Sequence, residues 1–314
     1  MDLIELKSIT GLTLVLSRRG AGIAALYAPD RNGALSNVCL RPDEDENTGT
    51  FSGATIAPVA GRVSGGAVSI SGAAYCMPQN DGANCLHSGP GTLGRAVWDV
   101  VYRSGSEVRF QKALAHGGCG LPGNRVFTAD YRLCGNCFSL ELSAVSDRDT
   151  FVNMTNHAYW NLSGNWAADA YDHELQIFSD AVWYNDKDHL PQKLCRVQNS
   201  AFDYRLPRTI RSALGESAGA DQLRNANGYN NAFALNGRPA VRLCHPGSGR
   251  RMIIETDAPC LIFYSGGYLP IAGSALAFEP QLVPDAPRLL GAKLPLLRKG
   301  AVFRTVSSYR FDAF

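Results

Sequence analysis

The sequence Phe138-Ser139-Leu140-Glu141-Leu142-Ser143-Ala144-Val145 decides the fold class, because apolar side chains occupy every second position of its first seven residues. A period of two places these apolar side chains on one face of an extended strand and the polar ones on the other. Segments 11–16, 67–72, 97–102 and 259–264 are typical of strands in the same way.

Short segments of this kind recur along the whole chain and are separated by 32 glycines and 16 prolines. Long windows with apolar residues at helical spacing are scarce. The sequence therefore predicts an all-β protein, a large antiparallel β-sandwich with few short helices, and not a βαβ fold. No repeat or linker divides it, so we expect a single domain over residues 1–314. The polar stretch 41–47 and the Ala/Gly/Ser-rich stretch 214–227 are expected to be surface loops.

Composition and charge exclude several classes of protein. The 30 basic and 28 acidic residues leave a net charge of +2, without the basic stripe that nucleic-acid binding requires. The sequence contains no run of about 18 apolar residues, which is the length that a helix needs to span a membrane. Residues 1–7 lack the pattern of a signal peptide. Nine scattered cysteines suggest reduced thiols and a cytoplasmic location, with a redox or metal role for Cys134 and Cys137 as the weaker alternative. We expect a monomer or a weak homodimer.

The stretch Thr155-Asn156-His157-Ala158-Tyr159-Trp160-Asn161-Leu162 concentrates side chains suited to binding a sugar. Aromatic faces pack on the C–H faces of a pyranose, amides bind its hydroxyls, and a histidine transfers protons near neutral pH. Residues 150–156 are typical of a strand that leads into this site. The alternative is that His157 is a core histidine bonded to a backbone carbonyl, but its amide and aromatic neighbours favour the functional interpretation.

Three other segments carry candidate site residues. His87 lies in the Gly/Pro-dense loop 80–91, which is expected to present the side chain and not to bury it. Glu279 stands where an apolar segment meets a proline, so its carboxylate is expected to be partly desolvated and suited to act as a base. Arg62 follows a glycine that allows close approach of a ligand. Asp285 is expected to form a turn. The other four histidines, His116, His173, His189 and His245, are expected to be structural.

Taken in order, these segments resemble the motifs of the aldose 1-epimerase (galactose mutarotase) family. The family patterns G-R-x-x-N-R-I, N-x-L-H-G-G, T-N-H-x-Y-F-N-L, G-Y-D-H-x-F and L-E-T-Q-x-x-P-D correspond to residues 61–66, 84–89, 155–162, 228–233 and 278–285. Five motifs in the family's order are unlikely to arise by chance. The resemblance implies a β-sandwich of galactose-mutarotase type, in agreement with the strand pattern.

The resemblance also implies an activity, the interconversion of the α and β anomers of a free aldose such as galactose or glucose. The family's general base corresponds to Glu279 and its general acid to His157. Substrate-binding groups correspond to His87, Arg62, Asn230, Asn84 and Tyr159. Glu279 would take the proton of the anomeric hydroxyl while His157 protonates the ring oxygen, and rotation about C1–C2 would precede reclosure. This chemistry requires no cofactor and no metal.

Three positions depart from the family motifs. Asn230 stands where the family has a sugar-binding aspartate, which removes a charge-assisted hydrogen bond. Gly65 and Gly66 stand in place of an Asn-Arg pair, so we expect Arg62 to be held less firmly. Ser265-Gly266-Gly267 replaces Thr-Gly-Asn.

Two other functions are compatible with the sequence. A hexose-phosphate mutarotase would need further cations, for which Arg18, Arg19 and Arg95 are candidates. A sugar-binding module without turnover would not need a matched acid and base.

Overall fold

The computed structural model describes residues 3–40 and 49–314. The loop predicted at 41–47 lies outside these ranges. All five strands that the alternating patterns predicted are present with boundaries shifted by at most two residues, and the mostly-β fold is confirmed.

The strands of the described residues are, in the first half of the chain, β1 (Leu3–Lys7), β2 (Thr13–Ser17), β3 (Gly22–Pro29), β4 (Leu35–Asn37), β5 (Thr55–Ile56), β6 (Arg62–Val63), β7 (Ala67–Ile70), β8 (Ala73–Cys76), β9 (Cys85–Leu86), β10 (Asp99–Arg103), β11 (Glu107–Leu114), β12 (Arg125–Cys134), β13 (Cys137–Ser146), β14 (Thr155–Asn156) and β15 (Tyr159–Trp160). They continue with β16 (Glu174–Ile177), β17 (Ala181–Asn185), β18 (Pro191–Arg196), β19 (Arg208–Thr209), β20 (Asn230–Ala234), β21 (Val241–His245), β22 (Arg250–Thr256), β23 (Cys260–Tyr264), β24 (Leu276–Gln281) and β25 (Val302–Ala313).

Two large antiparallel sheets dominate the architecture. One has nine strands in the order β10-β11-β12-β13-β25-β22-β21-β16-β19, and the other has six in the order β15-β24-β23-β20-β17-β18. A four-stranded sheet, β1-β2-β3-β4, and the short pairs β14-β5, β6-β9 and β7-β8 complete the described part of the chain. The chain enters and leaves the large sheets several times, so neither sheet is a continuous stretch of sequence.

The main hydrophobic core includes side chains from both large sheets. Phe138 and Tyr309 of the nine-stranded sheet stack with ring centroids 4.7 Å apart, and Trp160 of the six-stranded sheet lies 5.7 Å from Tyr309. All three side chains are almost completely buried. Aromatic contacts between the two sheets therefore fix how the six-stranded sheet sits on the larger one.

The six-stranded sheet is buried on both faces along β24, β23 and β20, which determines where polar groups can be held. Along β24, Leu276 and Phe278 belong to the main core, whereas Ala277, Glu279 and Gln281 point to the opposite face. Every residue of β24 is buried, so this strand shows no alternation in exposure. The face opposite the core is the one that carries the candidate site.

Helices are few and short within the described residues: α1 (Ile210–Leu214), α2 (Ala220–Ala226) and α3 (Ala286–Leu290), with 3-10 turns at Ser64–Gly66, Gly89–Gly91, Leu93–Arg95, Gly118–Gly120 and Gly291–Lys293. The loop prediction for 214–227 was wrong over α2. Leu223 and Ala226 are buried three residues apart, and this apolar spacing stabilises a short helix in a stretch whose composition is typical of a loop. No helix is long and apolar enough to cross a membrane in the part of the chain that the structure describes.

The strand predicted over residues 150–156 is mostly absent. Only Thr155 and Asn156 form a strand, β14, which pairs with β5. Upstream, Thr150 bridges Leu297 and Asn153 bridges Val59. The segment changes partners every few residues as it passes between sheets, so no continuous ladder forms.

The nine cysteines are all unbridged. Cys134 ends β12, Cys137 begins β13, and the two face each other across the two-residue turn Gly135-Asn136. They are thus the pair of strand residues next to a hairpin turn.

The turn after Arg62 depends on two glycines with left-handed backbones. Gly65 and Gly66 have φ of 61° and 65°. A Cβ at Gly65 would meet nothing within 4 Å, whereas a Cβ at Gly66 would collide with the carbonyl of Met77. The two positions therefore share a backbone cost but differ in steric space.

Substitution of these glycines by alanine separates the two effects. We expect Gly65→Ala to lower the free energy of unfolding by about 1–2 kcal/mol because of its left-handed φ, and Gly66→Ala to lower it by about 1–3 kcal/mol more because of the collision. Urea unfolding followed by circular dichroism measures both. Equal destabilisation of the two variants would contradict this account of the turn.

Candidate active site

A cavity of about 290 Å³ opens on the face of the six-stranded sheet that is turned away from the main core. This volume is at the lower end of the range for small-molecule sites. Six of the seven residues predicted for the site line it: Arg62, His87, His157, Tyr159, Asn230 and Glu279. They come from five separate segments of the chain, which the fold brings together.

Glu279 and His157 are the central pair of this cavity. Oε1 of Glu279 lies 3.5 Å from Nε2 of His157. Glu279 is 4% exposed and His157 is 6% exposed, so both groups are shielded from bulk water. Glu279 belongs to the interior of β24 and does not stand at a turn, while His157 lies in the two-residue gap between β14 and β15.

The environment of Glu279 raises the pKa of its carboxyl. Burial is the largest cause, and His157, Arg62 and Gln281 act against it. Gln281 donates from Nε2 to Oε2 of Glu279 at 3.3 Å, and its own Oε1 accepts from Nδ2 of Asn153 at 3.2 Å. Asn153 is anchored in turn by the backbone amide of Leu282, 2.9 Å from its Oδ1. A chain of buried amides therefore orients the carboxylate.

His87 is buried, contrary to the expectation that its loop would present it. It is 8% exposed and packs against the rings of Phe51 and His157, with centroid distances of 5.1 and 5.5 Å. The backbone N–H of Gly61 donates to its Nδ1 at 3.2 Å, which leaves the proton of the neutral ring on Nε2. Burial, together with the nearby His157 and Arg62, holds the pKa of His87 well below its usual range. His87 is thus an uncharged hydrogen-bond donor.

Arg62 is held firmly, contrary to the expectation drawn from Gly65 and Gly66. Its Nε lies 2.7 Å from Oδ2 of Asp81, and both side chains are partly shielded. The carboxylate of Asp81 supplies the fixed partner that the two glycines cannot offer. The backbone of this segment is also anchored by Asp285, whose amide donates to the Arg62 carbonyl at 2.7 Å and whose Oδ1 accepts from Ser64.

Tyr159 contributes a ring and not a hydroxyl to the cavity. Its hydroxyl donates to the carbonyl of Thr50 at 3.2 Å, and its ring centroid lies 4.9 Å from that of His157. Burial raises the pKa of Tyr159 well above its ordinary value, so the hydroxyl stays protonated. An apolar ring face next to Glu279 and His157 can pack on the C–H face of a sugar.

The two predicted asparagines differ in position. Asn230 begins β20 and lines the cavity, and its backbone carbonyl accepts from Nδ2 of Asn185 at 2.8 Å. Asn84 does not line the cavity. Its Oδ1 accepts from the amide of Gly65 at 3.2 Å, which places it behind the turn that follows Arg62.

Sequence reasoning missed several residues of the cavity wall. His189 was expected to be structural, but it lines the cavity together with Asn185, Tyr264 and Tyr268. Gln281, which lies inside the L-E-T-Q motif region, was also not singled out. His189 and Asn185 are remote in sequence from every motif. His189 stands in a polar turn and Asn185 at the end of β17, so only the folded hairpin reveals that both line the cavity.

This arrangement suits acid–base chemistry on a neutral polar ligand. A carboxylate and an imidazole are adjacent in a shielded cavity, with a neutral donor and a guanidinium around them. Within the described residues no cluster of His, Cys, Asp or Glu could hold a metal ion.

Comparison with known proteins agrees with the motifs. The family model for aldose 1-epimerase matches residues 2–310. The chain is 29% identical to an aldose 1-epimerase of Escherichia coli (strain K12), with 99% of this chain and 95% of that protein covered. It is 31% identical to a galactose mutarotase of Bos taurus, with 93% and 89% covered. The crystal structure of an aldose epimerase homologue from C. elegans superposes with a TM-score of 0.90 at 27% identity and 99% coverage of both chains.

The raised pKa of Glu279 has a consequence for stability. A carboxyl that binds its proton more tightly in the native state than in the unfolded state loses native stability as the pH rises through its native pKa. We therefore expect Glu279→Gln to raise Tm by a few degrees at pH 7.5 and to leave it nearly unchanged at about pH 4, below the unfolded pKa. Calorimetry at both pH values tests this. The exposed Glu255→Gln is the control, and a lower Tm of Glu279→Gln at pH 7.5 would contradict the argument.

Proposed function

Because the chain belongs to the aldose 1-epimerase family, we propose that it interconverts the α and β anomers of a free aldose within this cavity. The observation that carries the proposal is the 3.5 Å separation of Glu279 and His157 inside a shielded cavity. The hydroxyl that loses a proton and the ring oxygen that gains one are both bonded to C1. A base and an acid that serve these two oxygens must therefore be close neighbours.

Ring opening begins with two proton transfers. The carboxylate of Glu279 takes the proton of the anomeric hydroxyl as the C1–O1 bond gains double-bond character. A proton on Nε2 of His157 passes to the ring oxygen as the C1–O5 bond breaks. The product is the open-chain aldehyde. Glu279 now carries the proton from the anomeric hydroxyl, and His157 has lost the proton that it gave to the ring oxygen.

Reclosure exchanges the roles of the two groups. Rotation about the C1–C2 bond presents the opposite face of the aldehyde to the O5 hydroxyl. His157 then takes the O5 proton and Glu279 returns its proton to O1. The two side chains recover their initial states at the end of each turnover, so no outside proton is needed.

Arg62 and His87 complete the electrostatic environment. Each donates hydrogen bonds to oxygen, and the neutral Nε2–H of His87 does so without adding a charge next to His157. The Asp81 carboxylate keeps the guanidinium of Arg62 in place. We assign both residues to substrate binding, together with the Asn230 amide and the Tyr159 ring.

A free aldose fits the charge of the cavity better than a sugar phosphate does. Among the described residues that line the cavity, Arg62 is the single Lys or Arg, and Asp81 already pairs with it. Arg95 lies behind the wall, 4.7 Å from the centroid of the Phe51 ring, and Arg18 donates to the carbonyl of Trp98. The cations proposed for a phosphate therefore do not line the cavity. Galactose and glucose are the first substrates to test.

The catalytic role of Glu279 gives a direct test by polarimetry. We expect the wild type to accelerate mutarotation of freshly dissolved α-D-galactose or α-D-glucose, and Glu279→Gln to lower kcat by about 10²–10⁴-fold with sugar binding largely retained. Glu255→Gln controls for the loss of a carboxylate elsewhere. Acceleration only with sugar 6-phosphates would favour a phosphate substrate. Sugar binding without acceleration on any aldose would favour a binding module.

The dependence of kcat/KM on pH tests the assignment of the base. Because Glu279 must be ionised and its pKa is raised by burial, we expect the acidic limb of the profile to lie above the ordinary glutamate pKa of about 4.3. Gln281→Met removes a hydrogen bond that stabilises the carboxylate, so it should move this limb to still higher pH. Gln111→Met, on β11, is the control. If the acidic limb of Gln281→Met does not move, or moves to lower pH, the assignment of Glu279 as the base is contradicted.

A further inference from the structure

The hairpin formed by β17 and β18 closes the side of the cavity remote from Glu279. In the register of the six-stranded sheet, Glu279 is level with Ile262 on β23 and with Ala232 on β20. Asn185, at the end of β17, lies beside Asn230. Three strand spacings of about 4.8 Å place this far wall roughly 14 Å from Glu279. A sugar whose C1 meets Glu279 can extend its other carbon atoms toward the hairpin.

The turn between these strands holds His189 in a left-handed backbone conformation. His189 has a φ of 59°, which side chains with a Cβ rarely adopt. Asp186 fixes the turn, because its Oδ1 accepts from the amides of Asp188 at 2.9 Å and Leu190 at 3.0 Å. The imidazole of His189 lines the cavity as a result. Backbone strain of this kind is characteristic of residues that serve a site.

The far wall has unused hydrogen-bonding capacity. Nδ1 of His189 and Oδ1 of Asn185 are buried without a hydrogen-bond partner among the described residues. Buried polar atoms without a partner are costly, so these two side chains gain if they turn to meet a polar ligand.

The groups of this wall are also uncharged. Burial, assisted by Arg62, lowers the pKa of His189, while Asp81, Asp186 and Asp188 only partly oppose the shift. Its imidazole is therefore neutral at pH 7, and the side chains of Asn185 and Asn230 are amides. Neutral donors and acceptors of this kind match hydroxyl groups.

We propose that His189, together with Asn185, determines specificity by binding the hydroxyl groups of the aldose that are remote from its anomeric carbon. This inference rests on the proposed function, since the orientation of the sugar follows from the roles of Glu279 and His157. His189 touches substrate away from the reacting atoms, so it binds the ground state and the transition state equally. Its loss raises KM and leaves kcat nearly unchanged.

The variant His189→Gly removes the imidazole without straining the turn, because glycine adopts a positive φ freely. Asp188→Asn, an exposed neighbour in the same turn, is the matched control. The substrates are galactose and its 2-deoxy, 3-deoxy, 4-deoxy and 6-deoxy analogues. For each, kcat and KM are measured by polarimetry and Kd by NMR titration, and Tm confirms that the variants are folded.

We expect His189→Gly to lower kcat/KM and to weaken binding of galactose about tenfold, which is the effect of one lost hydrogen bond. The wild type should show the same loss on one deoxy sugar whose missing hydroxyl is remote from the anomeric carbon. His189→Gly should show no further loss on that sugar. Two results would overturn the inference. One is that kcat/KM and Kd of His189→Gly stay within twofold of the wild type on every sugar. The other is that the variant loses kcat/KM and affinity by the same factor on all five sugars. Because Kd is measured independently, absence of turnover in the wild type would refute the proposed function and still leave the binding pattern to decide the role of His189.

Discussion

The burial of the Glu279 carboxylate is the constraint on which the rest of the site depends. An ionised carboxylate in a shielded cavity is unfavourable unless neighbours stabilise it. Here the stabilisation is partial, because Gln281 donates one hydrogen bond at 3.3 Å and His157 lies 3.5 Å away, while burial remains the larger effect on the pKa. A carboxylate that is incompletely stabilised accepts a proton readily. The same arrangement that makes Glu279 costly to the fold makes it suited to take a proton from a sugar hydroxyl.

The fold meets this constraint with a strand, β24, that is buried on both of its faces. On one face, the ring of Phe278 stacks on Phe263 with centroids 5.3 Å apart and joins the main core. On the other, Glu279 and Gln281 face the cavity and the amide of Asn153. The period of two along β24 thus couples the position of the Glu279 carboxylate directly to the packing of the core. A slip of one residue in the register of β24 would place the carboxylate in the core, so the aromatic contacts between the sheets also protect the site.

The strands and the centre of the site could be predicted from sequence because their signals are local. Alternation within six to eight residues identified β2, β7, β10, β13 and β23, and the motifs around His157 and Glu279 singled out two side chains that lie 3.5 Å apart in the cavity. The far wall could not be predicted in this way. His189 stands in a polar turn without aromatic neighbours, and only the pairing of β17 with β20 brings its hairpin to the cavity. The burial of His87 and the ion pair between Arg62 and Asp81 likewise depend on contacts between separate segments.

Asn230 and His189 are both uncharged, and the charge of one depends on the identity of the other. The family motif has an aspartate at the position of Asn230, and a carboxylate there would favour a protonated imidazole on the same wall. With an amide at this position, burial and the cation of Arg62 keep His189 neutral, although Asp81, Asp186 and Asp188 partly oppose this effect. Compared with the family motif, this wall lacks one charged acceptor, the aspartate, and has the uncharged donors and acceptors of Asn230, Asn185 and His189. Recognition through uncharged groups depends on the geometry of each hydrogen bond, which is a property that the strained, fixed turn at His189 supplies.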